Sequence, residues 1–149
     1  MKKIPLSQGK HAIVDDQDYG LIKKYKWWYH EGYARGWVNG KSILMHRFIL
    51  NLSQDQRVDH IDRNGLDNRR SNMRVCTHAQ NCKNRYYPNK TGYKGVCKKP
   101  GHNKWQANIS TPKRRCLGVF DAPEKAALAY NKAAKEYFGK FAFLNNVSM

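Results

Sequence analysis

A short polar loop between residues 58 and 75 holds the side chains of this chain that are best suited to chemistry. It contains the adjacent pair Asp59 and His60 and, further on, Asn72, while Asn81 follows on a segment that reads as a helix. Carboxylate and carboxamide oxygens are ligands that hard divalent cations prefer. An imidazole can take up a proton near neutral pH. The loop therefore indicates a metal-assisted hydrolysis.

The charge of the chain indicates what would be hydrolysed. Its 149 residues include 28 Lys and Arg against 11 Asp and Glu, which gives a net charge of +17. Such an excess favours nucleic acid as a partner, because neutralising phosphates releases counterions. A ribosomal protein, a membrane-surface protein or a generic basic protein are the alternatives. Taken with the polar loop, the charge predicts cleavage of a phosphodiester.

Composition also limits the compartment and the role of the cysteines. No apolar run approaches the ~18 residues needed to span a bilayer, and the N-terminus lacks the apolar segment of a secretory signal. We therefore expect a cytoplasmic protein that is not secreted and has no membrane partner. The cysteines form no C-x-x-C pair, so we expect reduced, mostly buried thiols and no structural zinc; they are Cys76, Cys82, Cys97 and Cys116.

The polar loop is expected to lie between two strands and a helix. Residues 1–57 read as short strands joined by an Asn39-Gly40 hairpin turn, with a short helix around residues 46–50. The tryptophans of this region, Trp27, Trp28 and Trp37, are expected in the core. Residues 58–61 and 74–76 then predict the two strands that flank the loop, and Thr77 is a plausible N-cap for the helix that follows.

Residues 92–146 change character. Three strand-like runs are separated by turn residues and precede a helix, for which residues 121–124 predict a capping box and Gly139 a stop. Both halves of the chain are basic: residues 1–91 carry 17 basic and 8 acidic side chains, and residues 92–149 carry 11 and 3. Both halves are therefore suited to contact a polyanion.

The segment from His46 to Asn84 resembles the HNH endonuclease family, in the version found in phage and intron-encoded homing endonucleases. The matching residues are Met45-His46-Arg47, Val58-Asp59-His60, the run 64–69, Ser71-Asn72-Met73-Arg74 and Gln80-Asn81. The resemblance implies a ββα-metal fold in which Asp59 and Asn81 bind one divalent cation, Mg²⁺ or Mn²⁺. It further implies that His60 is the general base and that Asn72 holds the loop and orients His60. Asn64, Asp67 and Asn68 are expected to shape the loop, and His46 to be structural or to contact a phosphate.

Residues 92–146 resemble the plant Apetala-two/ethylene-response-factor DNA-binding domain, which also occurs fused to HNH nucleases. The match includes Tyr93-Lys94-Gly95-Val96, Lys104-Trp105, Leu117-Gly118-Val119-Phe120 and residues of the helix. That family lays a three-stranded sheet in the major groove, with the helix packed behind it. The implied DNA contacts are Lys94, Lys98, Lys99, Lys104, Trp105, Arg114 and Arg115, with Trp105 equally able to face the core. The chain departs from the plant pattern at Cys97, Asn108, Ser110 and Cys116, so the plant target sequence is not implied.

These observations predict an α+β protein with two domains. Residues 1–85 would be the HNH nuclease domain, a β-rich lead-in followed by a ββα-metal core at 58–85. A linker would span 86–91, and 92–146 would be the DNA-binding domain, a three-stranded antiparallel sheet packed on one helix. The predicted function is a divalent-metal-dependent endonuclease of homing or phage type that nicks or cuts double-stranded DNA in the cytoplasm, which would be that of a bacterial host if the protein is phage-encoded. The alternative is a non-catalytic, sequence-specific DNA-binding protein or transcriptional regulator. No small-molecule cofactor is expected, and monomer and dimer both stay open.

Overall fold

The computed structural model describes residues 1–53, 55–86, 89–111 and 113–147. Helices and small antiparallel sheets alternate along the chain, so the predicted α+β class is confirmed. The contacts divide the chain into two compact units, Met1–Asn81 and Cys82–Met149. The described residues include no helix long and apolar enough to cross a membrane.

The first unit is built from short elements, most of them four to seven residues long. Its strands are β1 (Lys2–Pro5), β2 (His11–Val14), β3 (Trp27–His30), β4 (Tyr33–Val38), β5 (Lys41–Leu44), β6 (Arg57–His60) and β7 (Met73–Cys76). Its helices are α1 (Asp16–Ile22), α2 (Met45–Ile49) and α3 (His78–Asn84), of which α3 runs across the unit boundary.

Three antiparallel sheets share the core of this unit: β1 with β2, β3-β4-β5, and β6 with β7. Asn39 and Gly40, both at positive φ, form the predicted two-residue turn between β4 and β5. Gly36 in β4 lies opposite Trp27, and a Cβ at Gly36 would come within 2.6 Å of the indole ring. Glycine is therefore needed there to seat Trp27. The core residues are Ile4, Leu6, Ala12, Val14, Ile22, Trp27, Ala34, Val38, Met45, Ile49 and Met73.

The loop between β6 and β7 is held from outside by the N-terminal elements. Ile13 of β2 makes a parallel bridge to Asp67, with backbone hydrogen bonds of 2.8 Å to Leu66 and Asn68. The Arg70 guanidinium donates to both carboxylate oxygens of buried Asp18 on α1, at 2.8 and 2.9 Å. Both contacts join residues more than fifty positions apart in the sequence, so the conformation of the loop depends on tertiary contacts and not on local turn formation alone.

The turn between β3 and β4 also packs against the loop between β6 and β7. A Cβ placed on Gly65 would lie 2.5 Å from both the Gly32 carbonyl oxygen and the ring of Tyr33. The loop backbone therefore touches this turn more closely than any side chain would permit. Glycine is needed at position 65 because the loop backbone lies so close to the β3–β4 turn. An unusual backbone angle is not the reason, since φ of Gly65 is not positive.

The second unit is a three-stranded antiparallel sheet with a long helix on one face, as predicted. Its strands are β8 (Val96–Lys98), β9 (Trp105–Thr111) and β10 (Lys113–Phe120), in the order β10-β9-β8. Helix α4 (Pro123–Phe138) covers the face that carries Ala107 and Ile109. Gly139 ends α4 at positive φ, as expected.

The predicted capping box before α4 is wrong. The N-cap residue is Ala122, and no side chain caps the helix. The Asp121 carboxylate instead accepts a hydrogen bond of 3.0 Å from Lys125, four residues on. Asp121 lies one residue before the N-cap, where its side chain cannot play the part that a capping box requires.

The segment predicted as a linker, residues 86–91, groups with the second unit. Tyr86 stacks on Phe143 with ring centroids 5.2 Å apart, and the Asn89 side chain donates to the Tyr93 carbonyl oxygen at 2.8 Å. Residues 87 and 88 lie outside the described part of the chain. The functional division into a nuclease domain and a DNA-binding domain stays a prediction.

Replacing Gly65 by Ala should destabilise the first unit. The new methyl group would meet the Gly32 carbonyl and the Tyr33 ring, and overpacking of this kind costs about 1–3 kcal/mol. Urea denaturation measures the change in the free energy of unfolding. Gly20→Ala is the matched control: Gly20 lies exposed in α1 with nothing within 4 Å of its virtual Cβ. Alanine there should stabilise by about 0.5–1 kcal/mol. Equal stabilities for the two variants would show that the loop does not rest on the turn.

Candidate active site

Asp59 and His60 are the last two residues of β6 and lie directly opposite Arg74 and Met73 of β7. Both side chains are buried, Asp59 to 4% exposure. The Asp59 carboxylate accepts hydrogen bonds from Nε, at 2.7 Å, and from a terminal nitrogen of Arg74. This cross-strand ion pair fixes the carboxylate and offsets the cost of burying its charge.

His60 lies among polar and aromatic partners. Its Nε2 is 3.4 Å from Oδ1 of Asn68, which is fully buried. The rings of His46 and Tyr33 pack against it, with centroid separations of 5.2 and 6.0 Å. Burial lowers the pKa of His60, and the bond to Asn68 and the nearby carboxylates oppose this shift only in part. The ring is therefore neutral at pH 7.

His46, on α2, is the second buried histidine and packs edge-on against His60. Burial lowers its pKa from 6.5 to about 3. Its Nδ1 is buried and has no hydrogen-bond partner among the residues that the structure describes. The position agrees with the expectation of a structural histidine, and it also puts His46 in direct ring contact with the predicted base.

Asn72 ties the two ends of the loop together. Its amide nitrogen donates to Asp62 Oδ1 at 2.8 Å and to the Asp67 carbonyl oxygen at 2.9 Å, and its Oδ1 accepts from the Asp62 backbone at 3.0 Å. The Asn72 carbonyl oxygen also accepts from the backbone N–H of Ile61, next to His60. A single carboxamide thus sets the path of the chain on both sides of the loop.

Asn81 lies on α3, whose start is fixed by the predicted cap. The Gln80 N–H donates to Thr77 Oγ1 at 3.2 Å, and the Thr77 N–H donates to Gln80 Oε1 at 2.9 Å, so the two residues form a reciprocal capping box.

The two predicted metal ligands, Asp59 and Asn81, offer one carboxylate and one carboxamide oxygen, a donor set that suits Mg²⁺ or Mn²⁺. A carboxylate has about four acceptor positions, so the bonds from Arg74 do not exhaust Asp59. Within the described residues no cluster of three or more His, Cys, Asp or Glu side chains could hold a metal ion.

Two residues near His60 are not identified by their sequence pattern. Asn68 was expected only to shape the loop, yet it lies against the imidazole. Tyr33 belongs to the β3–β4 turn region, 27 positions before His60, and reaches it because Gly65 lets the turn approach. The residues on either side of Asn68, Asp67 and Arg69, form an ion pair with each other at 2.5 Å.

The residues predicted to bind DNA divide between the two faces of the second sheet. Arg114 lies opposite Ser110, on the face away from α4, and Lys99 and Lys104 form the exposed turn between β8 and β9. The strand register pairs Lys98 with Trp105 and Arg115 with Ile109, so both basic residues belong to the face that α4 covers. Arg115 there lies over the ring of Tyr137, and Trp105 packs on the core.

Lys94, the remaining predicted contact, is directed toward the protein. Its ammonium donates to the carbonyl oxygens of Lys83, at 2.6 Å, and of Arg85. The face away from α4 carries Cys97, Gln106, Asn108, Ser110 and Cys116 beside Arg114.

The four cysteines are free thiols, but only Cys76 is buried and Cys116 is exposed, so the expectation of mostly buried thiols is wrong.

The two buried histidines should make the stability fall in acid. The unfolded chain binds a proton at His46 below about pH 6.5, whereas the folded protein does so only near pH 3. The free energy of unfolding should therefore drop between these values by up to about 1.4 kcal/mol per pH unit for this group. Urea titrations from pH 7 to pH 4 measure the slope. His46→Phe, which keeps a ring but cannot titrate, should flatten it.

His102→Gln is the control for this measurement, because His102 is an exposed histidine of the same chain. It should keep the wild-type slope. A His46→Phe variant with the same slope as the wild type would mean that His46 does not stay neutral in the folded protein.

Comparisons with known proteins support the resemblances found in the sequence. No family model matches the chain. An uncharacterised HNH endonuclease of Acanthamoeba polyphaga mimivirus is 33% identical over 147 residues, which cover 94% of this chain and 77% of the viral protein. About a third of the chain also matches plant proteins. An ethylene-responsive transcription factor of Arabidopsis thaliana is 51% identical over 51 residues, 32% of either chain. A dehydration-responsive element-binding protein of Oryza sativa is 45% identical over 56 residues, 36% of this chain and 17% of that protein. The match to the viral protein, over nearly the whole chain, shows that this protein belongs to the HNH endonuclease family.

Proposed function

We propose that this protein is a divalent-metal-dependent endonuclease that hydrolyses phosphodiester bonds of double-stranded DNA. The observation that carries the proposal is the pair of buried residues that end β6, an ion-paired Asp59 followed directly by a neutral His60. A base and a carboxylate in this arrangement suit the activation of water next to a bound cation. The net charge of +17 supports a polyanionic substrate.

His60 acts as the general base. Its lowered pKa keeps the ring neutral, so that it can accept a proton from water at pH 7. When Nε2 donates to Asn68 Oδ1, the neutral ring carries its lone pair at Nδ1. Asn68 thus sets the tautomer, and the rings of His46 and Tyr33 restrict the rotation of the imidazole.

Asp59 and Asn81 would hold the cation. Bound there, a divalent cation supplies positive charge for the phosphate and for the oxygen that leaves. The bonds from Arg74 orient the Asp59 carboxylate, and the Thr77–Gln80 capping box fixes the start of the helix that carries Asn81. Asn72 is a positioning residue, because its carboxamide bonds to Asp62 and Asp67 and so holds the loop.

The sheet of the second unit would bind duplex DNA with the face that α4 leaves uncovered. A flat β-sheet face can enter the major groove. Lys99, Lys104 and Arg114 supply the positive charge of this face and its adjoining turn. The face carries all four residues at which the chain departs from the plant pattern, Cys97, Asn108, Ser110 and Cys116, so the plant target sequence is not implied for it.

The first test is catalytic. His60→Ala should lower the rate of plasmid nicking by about 10²–10⁴-fold, because the base is lost. Its affinity for duplex DNA should stay within a few-fold of the wild type, since His60 acts on water. Gel assays of supercoiled plasmid with Mg²⁺ measure the first quantity, and titrations in EDTA measure the second. His11→Ala, an exposed histidine on β2, is the matched control and should keep full activity.

The same assay tests the metal and the alternative function. EDTA should abolish nicking by the wild type and leave the melting temperature unchanged, and Mg²⁺ or Mn²⁺ should restore the activity. Full activity of His60→Ala would remove the proposed base. A wild type that binds DNA tightly yet never nicks it, with any divalent cation, would favour a non-catalytic DNA-binding protein.

The second test separates the two faces of the C-terminal sheet. Arg114→Gln should weaken binding to duplex DNA and reduce the slope of log K against log salt by about 0.9, as expected for one lost phosphate contact. Arg115→Gln, the neighbouring residue on the helix side, is the control and should change neither. Titrations at several salt concentrations in EDTA measure both values. A slope that changes only in Arg115→Gln would show that the uncovered face does not bind DNA.

A further inference from the structure

One face of the β3-β4-β5 sheet carries exposed aromatic side chains that the core does not use. Along β4 the buried residues alternate with Tyr33, Arg35 and Trp37, which share the opposite face. Trp37 is 60% exposed, so the expectation that it belongs to the core is wrong. Trp28 of β3 lies diagonally across from it, with ring centroids 6.5 Å apart. An indole pair left on the surface of a small unit indicates a binding surface.

Arg35 supplies positive charge on this face. Lys41 pairs with buried Val38 and therefore belongs to the opposite face. The acidic residue of the β3–β4 turn is Glu31. Arg35 lies opposite Trp28, and its buried Nε has no hydrogen-bond partner within the part of the chain that the structure describes. An unpaired guanidinium N–H is costly for the protein alone. Because Nε is shielded from solvent, a phosphate oxygen from outside would bind the terminal nitrogens of the guanidinium instead.

This face is continuous with the candidate active site. Tyr33 stands at its near end, where its ring contacts those of His46 and His60 at 5.5 and 6.0 Å. Trp37 lies four residues further along the same strand, about 13 Å away at the rise of a β-strand. Successive base pairs of DNA are separated by about 3.4 Å. The span from Tyr33 to Trp37 equals about four base-pair steps, so DNA bound at His60 that runs along β4 would reach Trp37.

We propose that the face formed by Trp28, Tyr33, Arg35 and Trp37 binds the DNA that flanks the cleavage site. Arg35 pairs with a phosphate, and the two indoles contact the deoxyribose sugars beside it. Contacts to phosphates and sugars supply affinity that depends little on base sequence, because every nucleotide carries the same backbone. The inference rests on the proposed endonuclease function and adds a second DNA-binding surface, located in the catalytic unit itself.

The test is a set of DNA titrations with the full-length protein in EDTA, where no cleavage is expected. Trp37→Ala should weaken binding to a random-sequence duplex by about 5- to 100-fold with an unchanged salt slope. Arg35→Gln should weaken binding and lower the slope by about 0.9. Leu21→Ala, an exposed apolar residue of α1, is the matched control and should bind like the wild type. Trp37→Phe should retain most of the affinity, which separates ring contact from a folding defect.

Three outcomes would overturn the proposal. Unchanged affinity of both Trp37→Ala and Arg35→Gln would show that the face does not touch DNA. A dimer in sedimentation experiments that Trp37→Ala dissociates would identify a second copy of the chain as the occupant. A melting temperature lowered by several degrees in Trp37→Ala would show that the indole packs within the protein. These binding measurements do not depend on nicking. If they contradict the proposed DNA-binding face while His60→Ala still loses its nicking activity, the proposed endonuclease function stands.

Discussion

The arrangement at His60 depends on one requirement, that the polar side chains buried in the β6–β7 loop all find partners. Asn68 and Asp67 are almost inaccessible to solvent, and an unpaired polar group at such depth would cost about 1–3 kcal/mol. The Asn72 bonds, the Asp67–Arg69 pair and the contact of Asn68 with His60 meet this requirement together. Polar networks of this kind rigidify when complete, and a rigid loop holds the imidazole in one orientation.

The N-terminal strands are therefore part of the site and not merely a lead-in to it. The ββα segment has two strands of four residues and a seven-residue helix, too little to bury its own polar loop. Asp18, Ile13 and the β3–β4 turn supply the missing surface. His46 and Tyr33 bring aromatic rings to His60 from the same elements. The outward face of the β3-β4-β5 sheet is an extension of this scaffold.

The sequence predicts the local features well and the long-range ones poorly. The Asn39-Gly40 turn and the Thr77 cap follow from residue types a few positions apart, and both are present. The capping box at residues 121–124 fails because α4 begins at Pro123, so Ala122 is the N-cap and Asp121 lies one residue before it. The exposure of Trp37 depends on which face of β4 meets the core, which aromatic composition does not reveal. The contacts of His60 with Asn68, His46 and Tyr33 depend on how separate segments of the chain pack together, which no short sequence pattern predicts.

The bridge between Ile13 and Asp67 also bears on how the protein acquires its site. It joins parallel segments separated by more than fifty residues, and contacts of such separation carry a large loop-closure entropy and form late in folding. The β1–β2 and β3–β5 hairpins are local and can form first. Ordering of the β6–β7 loop then follows the docking of β2 and α1 against it. A partly folded chain that has only its local hairpins lacks the contacts that orient His60, so this arrangement requires the complete fold of the first unit.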